Sequence, residues 1–192
     1  MDKDEYAGKR KSYMETGRVF FWIATINNWK HLLEENKFKK VIIQSLRTLS
    51  ERGLIDVFAF VIMPNHIHLI WRTNALNGKE TAQGSFLKFT AHEFKKMLKD
   101  NNSELQKYAV DAHNKNYEFW QRDSLAVLLY SRHVMLQKLH YIHLNPLAAH
   151  WNLANEPWDY CYSSARYYEM NEKNFDFLKD VREEFSMRRS GS

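Results

Sequence analysis

At 192 residues the chain is long enough for one well-buried α/β domain and too short for two large ones. Its 28 Lys and Arg against 23 Asp and Glu leave a net charge of +5, a moderate basic excess that suits a polyanionic partner. A single cysteine, Cys161, excludes an internal disulfide and a cysteine-rich zinc site, so any metal must rest on His, carboxylate or amide ligands. Residues 1–17 read as an N-terminal extension, charged from the start and without an apolar signal segment. No run reaches the roughly 18 apolar residues of a membrane span, so the expectation is a cytoplasmic protein with no membrane partner.

In chain order, Arg18 to Ile26 are β-branched and aromatic, as in a strand buried on both faces. From Lys37 to Arg52, Phe38, Val41, Ile42, Ser45/Leu46 and Leu49 recur at helical spacing and Gly53 supplies the stop, which predicts an amphipathic helix. Ile55 to Met63 and His66 to Trp71 read as two arms of a hairpin broken at Pro64-Asn65. Residues 74–84 form a loop, after which Ser85 is the expected N-cap of a helix to about Lys99. One stripe of that helix is Leu87, Ala91, Phe94 and Leu98. Another carries Lys88, His92, Lys95, Lys96 and Lys99, and reads either as a solvated face or as a track for DNA phosphates.

Residues 101–116 are polar and read as an exposed connection. Glu118 to Leu129 suits a strand or the lead into the next helix, with a strand and a turn at Asp123-Ser124 preferred. Ser131 then opens a second helix to about Leu144, with Met135, Leu139 and Ile142 as its core stripe and His143 beside it as a structural residue. Tyr141 falls on the opposite side with Gln137 and, one turn on, Asn145. Because Asn145 precedes Pro146, the helix is expected to end there. A Pro157-Trp158 turn and an aromatic segment from Tyr160 to Tyr168 follow. Residues 169–192 form a charged tail with Phe175, Phe177 and Leu178 as docking points and a frayed end at 188–192.

The most informative stretch is Met63-Pro64-Asn65-His66-Ile67-His68-Leu69-Ile70. Side chains alternate along a strand, so His66 and His68 share one face and both imidazoles can close on one ion. One histidine in an apolar strand is usually a hydrogen-bonded core residue; two on one face point to a metal or to phosphate chemistry. The pair lacks the spacing of a metalloprotease, and no glycine-rich phosphate loop occurs among only 6 Gly. Ile70 stands where a histidine-triad hydrolase needs a third His, and His68 stands where a two-motif phosphodiesterase needs Ser or Thr. A two-histidine site would need at least one further oxygen or nitrogen ligand and a nucleophile, and a hard divalent ion there would act as a Lewis acid on a phosphoryl oxygen.

Met63 to Ile70, taken with Tyr141-Ile142-His143-Leu144-Asn145-Pro146, resembles the single-tyrosine HUH transposases, and most closely their REP-associated tyrosine transposase branch. The resemblance covers roughly Arg18 to Tyr168, including Phe119-Trp120-Gln121-Arg122 and Ser163-Ser164-Ala165, and marks 18–168 as the catalytic domain. It implies an α/β (α+β) fold of ferredoxin-like type, an antiparallel sheet with helices packed on it. It further implies that His66 and His68 hold Mg²⁺ or Mn²⁺ and that Tyr141 attacks a phosphodiester of single-stranded or hairpin DNA, leaving a 5′-phosphotyrosine and a free 3′-OH without ATP. Such enzymes take a third ligand from a side chain four residues after the tyrosine, normally Gln; here that residue is Asn145, with a shorter amide. Lys88, Lys95, Lys96 and Lys99 are the candidate DNA-backbone contacts, and monomer and homodimer are both open. Two rival readings remain: a non-catalytic DNA-binding regulator on the same fold, and a small metal-dependent phosphodiesterase.

Overall fold

The computed structural model describes residues 14–112, 115–122 and 124–187; the expectations for an extension before residue 14, a turn at Asp123 and a frayed end at 188–192 lie outside them. Strand β1 (Val19–Thr25), helix α1 (Asn36–Glu51), strands β2 (Ile55–Ile62) and β3 (His66–Thr73) and helix α2 (Ala82–Leu98) follow one another. A short helix α3 (Asn102–Gln106) and a hairpin of β4 (Ala109–Ala112) and β5 (Lys115–Tyr117) come next, then β6 (Leu125–Leu128) and α4 (Arg132–Leu144). The main sheet has the order β2-β3-β1-β6 with every pair antiparallel, the ferredoxin-like arrangement of a β-α-β-β-α-β chain.

The alternation of side chains sorts this sheet into two cores. Phe20, Trp22 and Ala24 of β1 and Ile67, Leu69 and Trp71 of β3 face α1 and α2, meeting Phe38, Ile42 and Leu46 of one helix and Phe86 and Phe94 of the other. Val19 and Phe21 of β1 and Ile70 of β3 face α4, whose Met135, Leu139 and Ile142 are buried as the wheel places them. His66 and His68 lie in register with Thr25 and Ile23 of β1 and therefore point to the α4 side. The strand that carries them is central, paired on both edges, so their backbone is fixed before any side-chain contact is made.

Two local expectations are corrected. Helix α2 starts a turn earlier than Ser85: the Thr81 hydroxyl caps it by accepting from the Gly84 N–H at 3.0 Å, while Ser85 is buried inside the helix. The polar stretch 101–116 is a structured insertion rather than an exposed connection, because Leu105 and Tyr108 are buried and Tyr108 stacks on Phe119 with ring centroids 4.7 Å apart. Helix α4 ends at Leu144 as expected, although Asn145 does not leave the α region before Pro146. Asn145 keeps helical dihedrals (φ −55°, ψ −42°) and the chain tightens into a 3-10 turn over Asn145–Leu147, which leaves Asn145 one full turn beyond Tyr141.

The chain after Glu169 also packs on the sheet. Phe177, Leu178 and Val181 are buried, and Leu178 bridges the outer edge of β2 at Val57, where the Lys179 N–H donates to the Val57 carbonyl at 2.9 Å. Lys179 and Arg72 both bond Asp56, and Arg72 also reaches Glu184 at 2.6 Å. With residues 162–164 bonded along the rest of β2, that edge presents few free groups for strand pairing. No helix among the described residues is long and apolar enough to cross a membrane.

Candidate active site

Strand β3 and helix α4 meet at a pocket of about 570 Å³ lined by His66, His68, Asn65, Tyr141 and Asn145, with Trp29, His150 and Trp151 at its rim. The two histidines come from the pleat of β3, and Tyr141 and Asn145 from the four-residue repeat of α4. Residues 66 and 145, far apart in sequence, are thereby brought together. Tyr141 is half exposed, and its ring meets His68 edge-on at 5.3 Å between centroids and Phe21 at 6.0 Å. Phe21 in turn stacks on His68 at 5.5 Å, so the three rings form a compact triangle that restrains the imidazole.

Both imidazoles are neutral. Burial, with a smaller contribution from His150, lowers the His66 pKa to about 4, and burial, His66 and Lys138 hold that of His68 well below its usual value. Asn65 orients His66: the Asn65 Oδ1 lies 2.6 Å from Nδ1, so this nitrogen carries the proton and Nε2 presents a lone pair. That lone pair faces the Nε2 of His68 at 3.0 Å. If His68 is protonated on Nδ1, its N–H is buried without an acceptor and two lone pairs oppose each other; if on Nε2, it donates to His66 and leaves a bare Nδ1 without a donor. Either way His68 Nδ1 has no partner, and the same is true of the buried Oδ1 of Asn145, whose Nδ2 lies 3.4 Å from His68 Nε2.

This is the donor set that a cation would complete. Two ligands about 2.1 Å from one octahedral ion at adjacent positions lie about 3 Å apart, which matches the 3.0 Å between the two Nε2 atoms. A half turn of the Asn145 amide exchanges Nδ2 for Oδ1 and brings its orphaned oxygen toward the same point. Among the described residues no group of three or more His, Cys, Asp or Glu is close enough to hold a metal, so a cation here would draw any third protein donor from another residue type, such as the Asn145 amide.

Lys138, one turn before Tyr141, is a feature that the wheel offered and the sequence reading passed over. Its ammonium lies 4.9 Å from the centre of the Phe21 ring and 5.7 Å from that of Tyr141, and burial lowers its pKa. It forms no ion pair with a described carboxylate, so its charge is available to an anion. The spacing i, i+3 to Tyr141 was the available signal. Asn65 had a fainter one, adjacency to the histidine pair, and Trp29 and Trp151 had none.

The lysines of α2 stand elsewhere. Lys88, Lys95, Lys96 and Lys99 are exposed as a common face, but α2 covers the side of the sheet opposite the histidines, and Lys88 and Lys96 pair with Glu80 at 2.7 Å and Glu93 at 3.7 Å. His143 is structural. It is buried against the Ser164 hydroxyl at 2.9 Å, and Ser164 in turn bonds the N–H and carbonyl of Phe60 in β2.

No protein-family model matches the chain, and no curated protein sequence does. Solved structures match at the level of fold. A REP-associated tyrosine transposase, solved bound to a REP hairpin, superposes with a TM-score of 0.59 at 16% identity over 91% of this chain and 93% of that one. A chain described as a transposase from Deinococcus radiodurans R1 matches with a TM-score of 0.38 at 17% identity, over 70% of this chain and 95% of the other. On the first of these likenesses, which spans nearly the whole of both chains, this protein has the fold of a REP-associated tyrosine transposase.

Proposed function

We propose that the chain is a metal-dependent nuclease and strand transferase of the transposase type, acting on single-stranded DNA next to a hairpin. The observation that carries this reading is the convergence of His66, His68, Asn145 and the half-exposed Tyr141 in one pocket, with the two histidine Nε2 atoms 3.0 Å apart and the buried Asn145 Oδ1 left without a partner beside them. Mg²⁺ or Mn²⁺, held by His66 Nε2, His68 Nε2 and Asn145 Oδ1, would supply a Lewis acid for a phosphoryl oxygen. Every other part of the chemistry belongs to side chains. The Tyr141 oxygen attacks phosphorus, its proton passes to solvent, a tyrosyl O–P bond forms and the P–O3′ bond breaks, and the departing oxygen takes up a proton as a free 3′-OH. Lys138 faces the charge that builds on the phosphate and is then held by the phosphotyrosine. Since one phosphodiester is exchanged for another, attack by a 3′-OH reverses the step and joins strands without ATP.

The fold of the hairpin-bound transposase structure supports DNA as the partner. The test is covalent trapping. Wild-type protein incubated with Mn²⁺ and a 5′- or 3′-labelled hairpin-tailed oligonucleotide should give a denaturation-resistant adduct carrying the DNA downstream of the cut, joined by its 5′ end. An adduct that forms equally with Tyr141→Phe would move the nucleophile to another residue, and free products with no adduct would turn the reading toward a phosphodiesterase.

A further inference from the structure

At the rim of the pocket, Trp29 is 59% exposed although Trp22, Trp71 and Trp120 are buried. Its position is costly for the backbone. Asn28 and Trp29 both have φ of 56°, in the left-handed region that side chains with a Cβ avoid, and neither is a glycine. Hydrogen bonds hold the strained turn against the active site: the Trp29 carbonyl accepts from the Asn65 side chain at 3.3 Å, and the Asn65 carbonyl accepts from the Ile26 N–H at 2.8 Å. The residue that orients His66 therefore also anchors Trp29. Trp151, which follows α4, lines the same pocket, and the His66 ring is near both indoles, 6.5 Å from Trp29 and 5.9 Å from Trp151 by centroids. Leu144 and Ala148 also line the pocket, and among the described residues no carboxylate does.

We propose that Trp29 and Trp151 form a stacking subsite for one unpaired nucleobase, the base adjoining the phosphate that faces Tyr141. This rests on the DNA reading above and adds the subsite to it. Two properties of the pocket favour this ligand. Trp29 and Trp151 give it flat aromatic faces in the same pocket as Tyr141, and none of its described lining residues carries the negative charge that would repel a polyanion. A base stacked within a duplex has no free face to offer an indole, so the subsite admits only a strand that has left the duplex. Stacking tolerates any base, so the subsite enforces single-strandedness and position, not sequence.

The experiment is a cycle between protein and DNA. Binding is measured for the full chain carrying Tyr141→Phe, with and without Trp29→Ala, to the oligonucleotide that the wild type cleaves, intact or with an abasic residue at each position flanking the cut. At one position the abasic change should weaken binding by about 5- to 150-fold when Trp29 is present and by less than about twofold when it is Ala. Trp29→Phe should restore part of the difference, and 2-aminopurine at that position should lose fluorescence on binding to the Trp29 protein and not to the Ala variant. Equal abasic effects in both proteins at every flanking position, with binding and cleavage intact, would overturn the subsite alone. Failure of the wild-type chain to bind or cut any single strand would instead overturn the DNA reading and the subsite with it. Because Trp29 is exposed, its loss does not threaten the core, and Trp151→Ala gives an independent second arm.

Discussion

Two buried histidine clusters lie on the α4 side of the sheet, and they differ in whether their hydrogen bonds close. His143, Ser164 and the Phe60 backbone satisfy one another: the hydroxyl can donate to the Phe60 carbonyl while accepting from the Phe60 N–H and the imidazole, and none of their side-chain atoms is a buried orphan. His66, His68 and Asn145 do not close, and leave His68 Nδ1 and Asn145 Oδ1 without partners. An unpaired buried polar group costs about 1–3 kcal/mol, so a cluster kept solely for stability would be expected to resemble the first. The unclosed cluster is also the one beside an exposed tyrosine and a pocket. Incomplete satisfaction, more than the presence of histidine, separates the cluster at the pocket from the structural one.

The comparison breaks most sharply at Tyr141. Tyr141→Phe removes one oxygen from a half-exposed ring while keeping its packing on Phe21 and His68. Covalent adduct and cleavage should fall by more than about a thousandfold, with DNA affinity in gel shifts close to wild type. Retained cleavage would move the nucleophile elsewhere. Next in size, His66→Ala and His68→Ala should each lower cleavage by at least about a hundredfold, and a chelator should silence the wild type. Asn145→Ala should cost less and recover in part at high Mn²⁺. Full-rate cleavage in chelator would remove the metal from the site and leave the orphaned Asn145 oxygen unexplained.

The closed cluster is tested by pH. Burial, with a smaller contribution from His140, lowers the His143 pKa to about 4, so the folded state stays neutral while the unfolded chain takes up a proton near 6.5. Between these values the unfolded state binds more protons. Stability is therefore complete above about pH 6.5 and falls as the pH drops toward 4, by roughly 2 kcal/mol at pH 5 from this residue. His66 is lowered in the same direction and adds to the same loss. Urea melts of His143→Gln should show a shallower decline with acid than wild type. An identical decline would mean that His143 is not neutral in the fold.

Much of this architecture is written in short-range pattern, and the part that is not has a common cause. The pleat of β3 puts His66 and His68 on one face, and the four-residue repeat of α4 puts Tyr141 and Asn145 on another; both depend only on local geometry. That the two faces oppose each other follows from topology, which the resemblance supplied and periodicity did not. What stayed hidden depends on contacts between distant segments. Trp29 reaches the pocket through a left-handed turn tied to Asn65, and Val181 is buried through a strand-like bridge to β2. The insertion looked polar because, among its described residues, the buried ones are Leu105 and Tyr108.

Lys138 sharpens the comparison from another direction, since the open cluster carries an uncompensated cation. Lys138→Ala should lower the cleavage rate at saturating DNA by about tenfold, and Lys138→Arg should restore most of it by keeping the charge over the rings. A purely structural role would lower stability in both variants and leave the rate per folded molecule unchanged.

The smallest effect is expected on the far layer. Lys88, Lys95, Lys96 and Lys99 project from α2, across the sheet from Tyr141, and two of them are already paired with Glu80 and Glu93. Changing all four to Gln should leave the cleavage rate at saturating DNA unchanged, because none reaches the reacting phosphate. If the face tracks the backbone of a bound strand, each contact displaced removes about 0.7 from the slope of log affinity against log salt, up to roughly 3 for all four. The loss would then be equal for cleaved and scrambled sequences, since backbone contacts position DNA without reading it. An unchanged slope would assign this face to solvent and place the phosphate contacts on the α4 side, where Lys138 stands beside the open cluster.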